Sequence, residues 1–274
     1  MSVWLKATFL GAVLAALAAP AALFATSSID FPGLPWATSN RGAVETAVSA
    51  RREARVDGAV LRLTGVYGDP EQTVFAYEIE GRSGDAESGA IADKPRLVLQ
   101  DGSIVPLVWN ATDPSRPRVG TLVFAGLPEG LTSATLEVDA LTFQTGDVRK
   151  RFSIALEIDN RATYAASTKV VETRRLGSGK SAITITEISR TPAIVVLRGT
   201  FDGLTPDEIQ AMGRPRFALI GADGSRYETE SGRFGFRDGY RNFEFRFPSA
   251  NPGASTLELT GLAGSSPQFS LSIP

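Results

Sequence analysis

A set of short apolar words occurs twice along this chain, in the same order and at nearly the same spacing. Ala50-Arg51-Arg52 is matched by Thr173-Arg174-Arg175, and Val60-Leu61-Arg62-Leu63-Thr64 by Ala182-Ile183-Thr184-Ile185-Thr186. Pro95-Arg96-Leu97-Val98-Leu99, followed by Asp101-Gly102-Ser103, is matched by Pro215-Arg216-Phe217-Ala218-Leu219, followed by Asp223-Gly224-Ser225. Ala134-Thr135-Leu136-Glu137-Val138 returns as Ser255-Thr256-Leu257-Glu258-Leu259, and Phe152-Ser153-Ile154 as Phe269-Ser270-Leu271. The offsets all lie between 117 and 123 residues. Two copies of one domain explain that order.

The words are written in a period of two. Phe152, Ile154, Leu156 and Ile158 alternate with Ser153, Ala155, Glu157 and Asp159, and Val74, Ala76 and Glu78 alternate with Phe75, Tyr77 and Ile79. Half-buried strands have this pattern. Turn signals separate them: Gly68-Asp69-Pro70, Asp101-Gly102 and Pro128-Glu129-Gly130. Asp-Gly between short strands predicts a tight hairpin with positive φ at both central residues. The expected fold is all-β, with two tandem immunoglobulin-like β-sandwich domains over 45–160 and 166–274, joined by a linker at 161–165. Each copy offers about seven short strands, the number of a two-sheet sandwich. A closed barrel is the alternative.

The copies diverge most between their third and fourth words. Thr205-Pro206-Asp207-Glu208 predicts a helix with a capping box and an early proline, ended by Gly213, with Ile209 and Met212 facing the sheet. The matching segment of the first copy, 81–93, reads as a loop rich in Gly, Ser and Asp.

The N-terminus has its own signature. Residues 7–29 carry no charge and are mostly Ala, Leu, Val and Phe, with Lys6 just before them. About 20 apolar residues suffice to cross a bilayer as a helix, and a preceding cation keeps that end in the cytoplasm. Residues 1–29 are therefore expected to be a signal anchor that contacts the lipid bilayer through 7–29. The expected location is the bacterial cytoplasmic membrane, single-pass, with the C-terminal part outside. Residues 30–44 read as a linker, by their Pro, Gly, Ser, Thr and Asn content. The alternative is a cleaved signal peptide with an apolar region at 9–19 and a secreted product.

Composition narrows the chemistry. There is no His and no Cys, so Ser-His-Asp and Cys-His mechanisms and zinc sites built on His or Cys are excluded, as are disulfides. Lys plus Arg is 28 and Asp plus Glu 30, for a net charge of -2, which argues against a nucleic-acid partner. Carboxylates are the strong acid-base groups left, but Asp69 and Glu71 beside a turn, and Asp85 and Glu87 in the 81–93 loop, read as solvated charges. The outer face of the Phe243, Phe245 and Phe247 strand, formed by Asn242, Glu244 and Arg246, reads the same way. No catalytic, cofactor or metal residue is expected. The candidate ligand or partner contacts are Trp109, Tyr240, Asp85 and Glu87. Trp109 ends a strand running from Ile104, and Tyr240 flanks a hairpin tip. Packing over the end of a core is the commoner fate of such a Trp. Asn110-Ala111-Thr112 matches a glycosylation acceptor, a short pattern that recurs by chance.

With Gly58-Ala59-Val60-Leu61-Arg62-Leu63-Thr64-Gly65 and Thr73-Val74-Phe75-Ala76-Tyr77 in one copy and Ser181-Ala182-Ile183-Thr184-Ile185-Thr186 in the other, residues 45–274 resemble the extracytoplasmic tandem immunoglobulin-like domains of bacterial membrane proteins of unknown function. Some of those proteins carry a cytoplasmic anti-sigma segment before the span. Only six residues precede the span here, so no such segment is expected. The resemblance implies a non-enzymatic, membrane-anchored ectodomain for protein interaction or envelope sensing, with an unidentified envelope protein as partner. A cell-wall or carbohydrate-binding module, with a glycan partner, is the alternative.

Overall fold

The computed structural model describes residues 52–81, 90–143, 146–212, 216–229, 231–234, 242–260 and 266–274. The expected anchor at 7–29, the 30–44 linker, Asp85, Glu87, Tyr240 and the Met212 side chain lie outside the described residues. Among the described residues, no helix is long and apolar enough to cross a membrane.

The first copy contains β1 (Arg52–Val56), β2 (Ala59–Gly68), β3 (Gln72–Glu80), β4 (Ala90–Asp93), β5 (Arg96–Leu99) and β6 (Ile104–Val105). It continues with β7 (Leu107–Thr112), β8 (Val119–Ala125), β9 (Leu131–Val138), β10 (Ala140–Phe143) and β11 (Phe152–Asp159). A five-stranded sheet, β1-β2-β3-β8-β7, lies opposite a four-stranded sheet, β11-β9-β5-β6, and β4 pairs with β10 beside them. Every ladder is antiparallel.

After a short helix, α1 (Arg161–Ala165), the second copy repeats this plan. Its strands are β12 (Thr168–Leu176), β13 (Ile183–Arg190), β14 (Ile194–Phe201), β15 (Arg216–Gly221), β16 (Arg226–Glu228), β17 (Ser231–Phe234), β18 (Asn242–Pro248), β19 (Gly253–Thr260) and β20 (Gln268–Ile273). The sheets are β12-β13-β14-β18-β17 and β16-β15-β19-β20. Strand for strand, the two copies have the same order. They differ between the third strand and the next hairpin, where the first copy places β4 and the second places α2 (Pro206–Met212).

Each copy is a β-sandwich because the inward residues of both its sheets share one core. Leu61 and Phe75 of one sheet meet Leu136 and Phe152 of the other in the first copy. Leu197 and Phe245 meet Phe217 and Leu257 in the second, where the Phe217 and Phe245 ring centroids are 4.2 Å apart.

Local chemistry sets the turns. Asp57 and Gly58 both have positive φ, 49° and 82°, and join β1 to β2 as the two-residue hairpin that Asp-Gly favours. Asp101-Gly102 behaves differently: only Gly102 is at positive φ, in a four-residue connection from β5 to β6. The expected single strand from Ile104 to Trp109 is two strands in opposite sheets. Pro106 parts them, since it has no N–H to give to a ladder, and its carbonyl accepts the Ala125 N–H at 2.9 Å. The predicted capping box is present, with the Glu208 N–H on Thr205 Oγ1 at 3.3 Å and the Thr205 N–H on Glu208 Oε2 at 3.0 Å.

The 161–165 segment, expected as a plain linker, is α1, and it is tied to the first copy. Thr163 donates its hydroxyl to the Gly68 carbonyl and Tyr164 its phenol to the Leu127 carbonyl. Asn160, buried just before the helix, donates to the Pro128 carbonyl at 2.9 Å and accepts the Gly130 N–H at 2.8 Å.

Candidate functional site

A third apolar cluster lies between the copies. Tyr67, Val74, Ala76 and Val123, on the outer face of the first five-stranded sheet, pack against Ala193, Ile194 and Val196 on the outer face of the second. β3 is therefore buried on both faces, where its alternation predicted one. The seam is built from the same end of both copies: the β2–β3 turn of one meets the β13–β14 turn of the other.

The two turns have one design. In the first copy Asp69 Oδ1 accepts the backbone N–H of Glu71 at 2.7 Å and of Gln72 at 2.8 Å, while the Asp69 N–H reaches the Gln72 carbonyl at 2.9 Å. In the second, Thr191 Oγ1 accepts from Ala193 at 3.2 Å and Ile194 at 3.1 Å, and the Thr191 N–H reaches the Ile194 carbonyl at 2.8 Å. Short polar side chains followed by Pro capture their own turn in this way. Gly126 lets the end of β8 lie against the first turn. A Cβ there would stand 2.1 Å from the Pro70 carbonyl oxygen.

Two carboxylates enter this seam. Asp69 and Glu71, read from sequence as solvated, are 0% and 7% exposed. The expectation fails because solvation of a turn depends on what packs over it, and here the other copy does. The Tyr67 phenol donates to Asp69 Oδ2 at 2.7 Å. Burial pushes the Asp69 carboxyl up to about 6, against the pull of Tyr67, Thr191 and the two turn N–H groups. Burial and the Asp69 charge raise the Tyr67 phenol well above its ordinary value.

Glu71 is held differently. Both its oxygens take Arg198, on β14, at 2.6 and 3.2 Å. Burial opposes its ionisation, but the Arg198 guanidinium outweighs this and holds the carboxyl below the usual range. Arg198 also donates to Glu244 at 3.0 Å and to Glu187, and Arg246 backs Glu244 at 2.9 Å. On the outer face of the Phe243–Phe247 strand, expected to be solvated, Glu244 and Arg246 are thus part of the clasp, while Asn242 is exposed. Burial works against Glu244 too, and Arg246 and Arg198 keep it below its ordinary value.

The sequence carried a signal for this seam. Ile194-Val195-Val196-Leu197 has no polar residue at alternate positions, as strands covered on both faces do not.

Of the predicted contacts, Trp109 is the one among the described residues, and it falls outside the seam. Trp109 sits on the edge strand β7 and is 43% exposed, with Leu107 and Ile104 nearby in the chain at 40% and 59%. Its neighbour Asn110 is half-buried and turned inward, donating to the Ala92 carbonyl at 3.2 Å. Asp57 pairs with Lys150 at 3.1 Å. Among the described residues, no group of three or more His, Cys, Asp or Glu is placed to hold a metal ion.

No protein-family model matches this chain, and no curated protein does. A solved structure, described as the crystal structure of the conserved domain protein from Bacillus anthracis, is similar at a TM-score of 0.59 and 11% identity. The match covers 84% of this chain and 87% of that one. At that identity the likeness is one of fold: what is shared is a nearly all-β architecture of packed antiparallel sheets.

Proposed function

We propose that the chain is a non-enzymatic, membrane-anchored ectodomain of two immunoglobulin-like sandwiches that binds another envelope protein. In each copy four strands of the larger sheet, β2-β3-β8-β7 or β13-β14-β18-β17, face the four of the smaller. This order supports the immunoglobulin-like reading. Residues 7–29 supply the anchor on hydropathy alone.

The observation that carries the binding role is the clasped seam. Arg198 and Glu71 hold two copies of one fold together, and those copies differ most at one place, β4 against α2. The divergent segments, 81–93 and 203–214, are the proposed contact surfaces, one on each copy. The carboxylates with the most unusual surroundings, Asp69 and Glu71, are buried in the seam and serve it rather than a substrate.

Crosslinking the full chain in its source cell, followed by capture and mass spectrometry, tests this. One discrete envelope protein is expected, and it should be lost when 81–93 and 206–212 are replaced by Gly/Ser loops. Undiminished capture by that variant refutes the placement. The glycan-binding alternative draws on the exposure of Trp109. It requires retention on cell-wall glycan that Trp109→Ala abolishes.

A further inference from the structure

We propose that Asp69 is a proton-operated latch between the two copies: proton uptake by its carboxylate tightens their docking, and proton release loosens it. The latch belongs to the seam and holds whatever partner the ectodomain binds.

The geometry comes first. Asp69 is fully buried where the β2–β3 and β13–β14 turns meet. From its own copy it faces the Tyr67 phenol, the N–H groups of Glu71 and Gln72, and the charge of Glu71. Tyr164, on α1, and Glu129, in the turn before β9, lie within electrostatic reach of the same corner. From the second copy the Thr191 hydroxyl faces it. Of the cations of that copy, Arg198 is engaged with Glu71, Glu187 and Glu244, Arg246 with Glu244, and Arg190, next to Thr191 in the chain, with the Ala250 carbonyl at 3.0 Å. Among the described residues no cation pairs with Asp69, so hydrogen-bond dipoles alone offset its charge. A buried carboxylate in that position favours its neutral form.

The direction follows from linkage. In the closed seam burial raises the Asp69 carboxyl from 3.8 to about 6. Opening the seam returns water to it and restores the ordinary value. The closed state therefore binds the proton more tightly, and its advantage is largest at low pH and fades as pH rises through about 6. Between about pH 7.5 and 5 docking should strengthen about tenfold. Below 4.5 the loss of Glu71 ionisation works the other way.

Hydrogen exchange on the full chain reads this directly. Protection of the seam amides of residues 69 and 191, whose acceptors are the backbone carbonyls of Gln72 and Ile194 in every variant, is divided by that of the core amides of Leu136 and Leu257, which removes the intrinsic pH dependence of exchange. The ratio should rise about tenfold from pH 7.5 to 5 and stay level in Asp69→Asn. Thr191→Val, which removes a group favouring the carboxylate, should move the rise to higher pH. A level ratio in the wild type, or an equal rise in Asp69→Asn, overturns the proposal. If Asp69→Asn does not fold, an unshifted rise in Thr191→Val overturns it instead.

Discussion

Asp69 and Thr191 occupy the same place in the two copies, each closing the turn after its copy's second strand, and they face each other across the seam. The joint is thus built from one surface used twice, as in an isologous dimer. It is not chemically symmetric. Glu71 stands opposite Arg198, while the corresponding positions on the other side are Ala193 and Ala76, both fully buried. Two first copies would bury Glu71 with no cation, so the seam is matched to one copy of each kind.

Arg198→Met should destabilise the fold by about 3 kcal/mol, because it leaves Glu71 buried and unpaired. Adding Glu71→Leu should recover most of the loss, since a paired apolar replacement leaves no orphan charge. Urea unfolding of the two variants and the wild type at pH 7 measures both steps.

Acid should weaken the seam through Glu71. Its folded carboxyl titrates below the ordinary 4.5, so its stabilisation is complete above 4.5 and is lost as pH falls through the lower folded value. Glu71→Gln should flatten that limb of the stability profile. Unfolding midpoints between pH 5 and 2.5 are the measurement.

Gly126→Ala should cost about 2 kcal/mol, as overpacking against backbone does, because its Cβ would meet the Pro70 carbonyl oxygen. Since Pro70 follows Asp69, the same variant should lower seam protection in hydrogen exchange more than core protection. A thermal midpoint equal to the wild type would contradict the close approach.

Thr205→Ala should cost about 1 kcal/mol, the usual value of an N-cap side chain, and should show mainly as faster exchange in α2. All three of its hydrogen bonds with Glu208 are local, so seam amides should exchange as before.

Features that depend on neighbouring residues were legible in the sequence. The period-two runs became strands because alternation places one side of each on a core. The Thr205–Glu208 segment carries its cap chemistry within a few residues, whereas the tight Asp-Gly hairpin expected at Asp101-Gly102 forms at Asp57-Gly58 instead. The order of repeated words foretold two copies with one strand order, although Pro106 divided a run that read as continuous. Asp69, Glu71 and Glu244 were misread together, and for one reason. Each lies on a surface that a single copy would expose to water.

By itself the sequence determined that this chain forms strands, that it does so in two matching sets, and that His- and Cys-based chemistry is closed to it. These follow from side-chain alternation, repetition and residue type, which are properties of the chain alone. Only the tertiary structure decided that the backs of two sheets meet, and so which carboxylates lose their water and which guanidinium they find. Burial of a charge is set by residues distant in sequence, and a turn such as Gly68-Asp69-Pro70 has the same local chemistry whether water or another domain covers it.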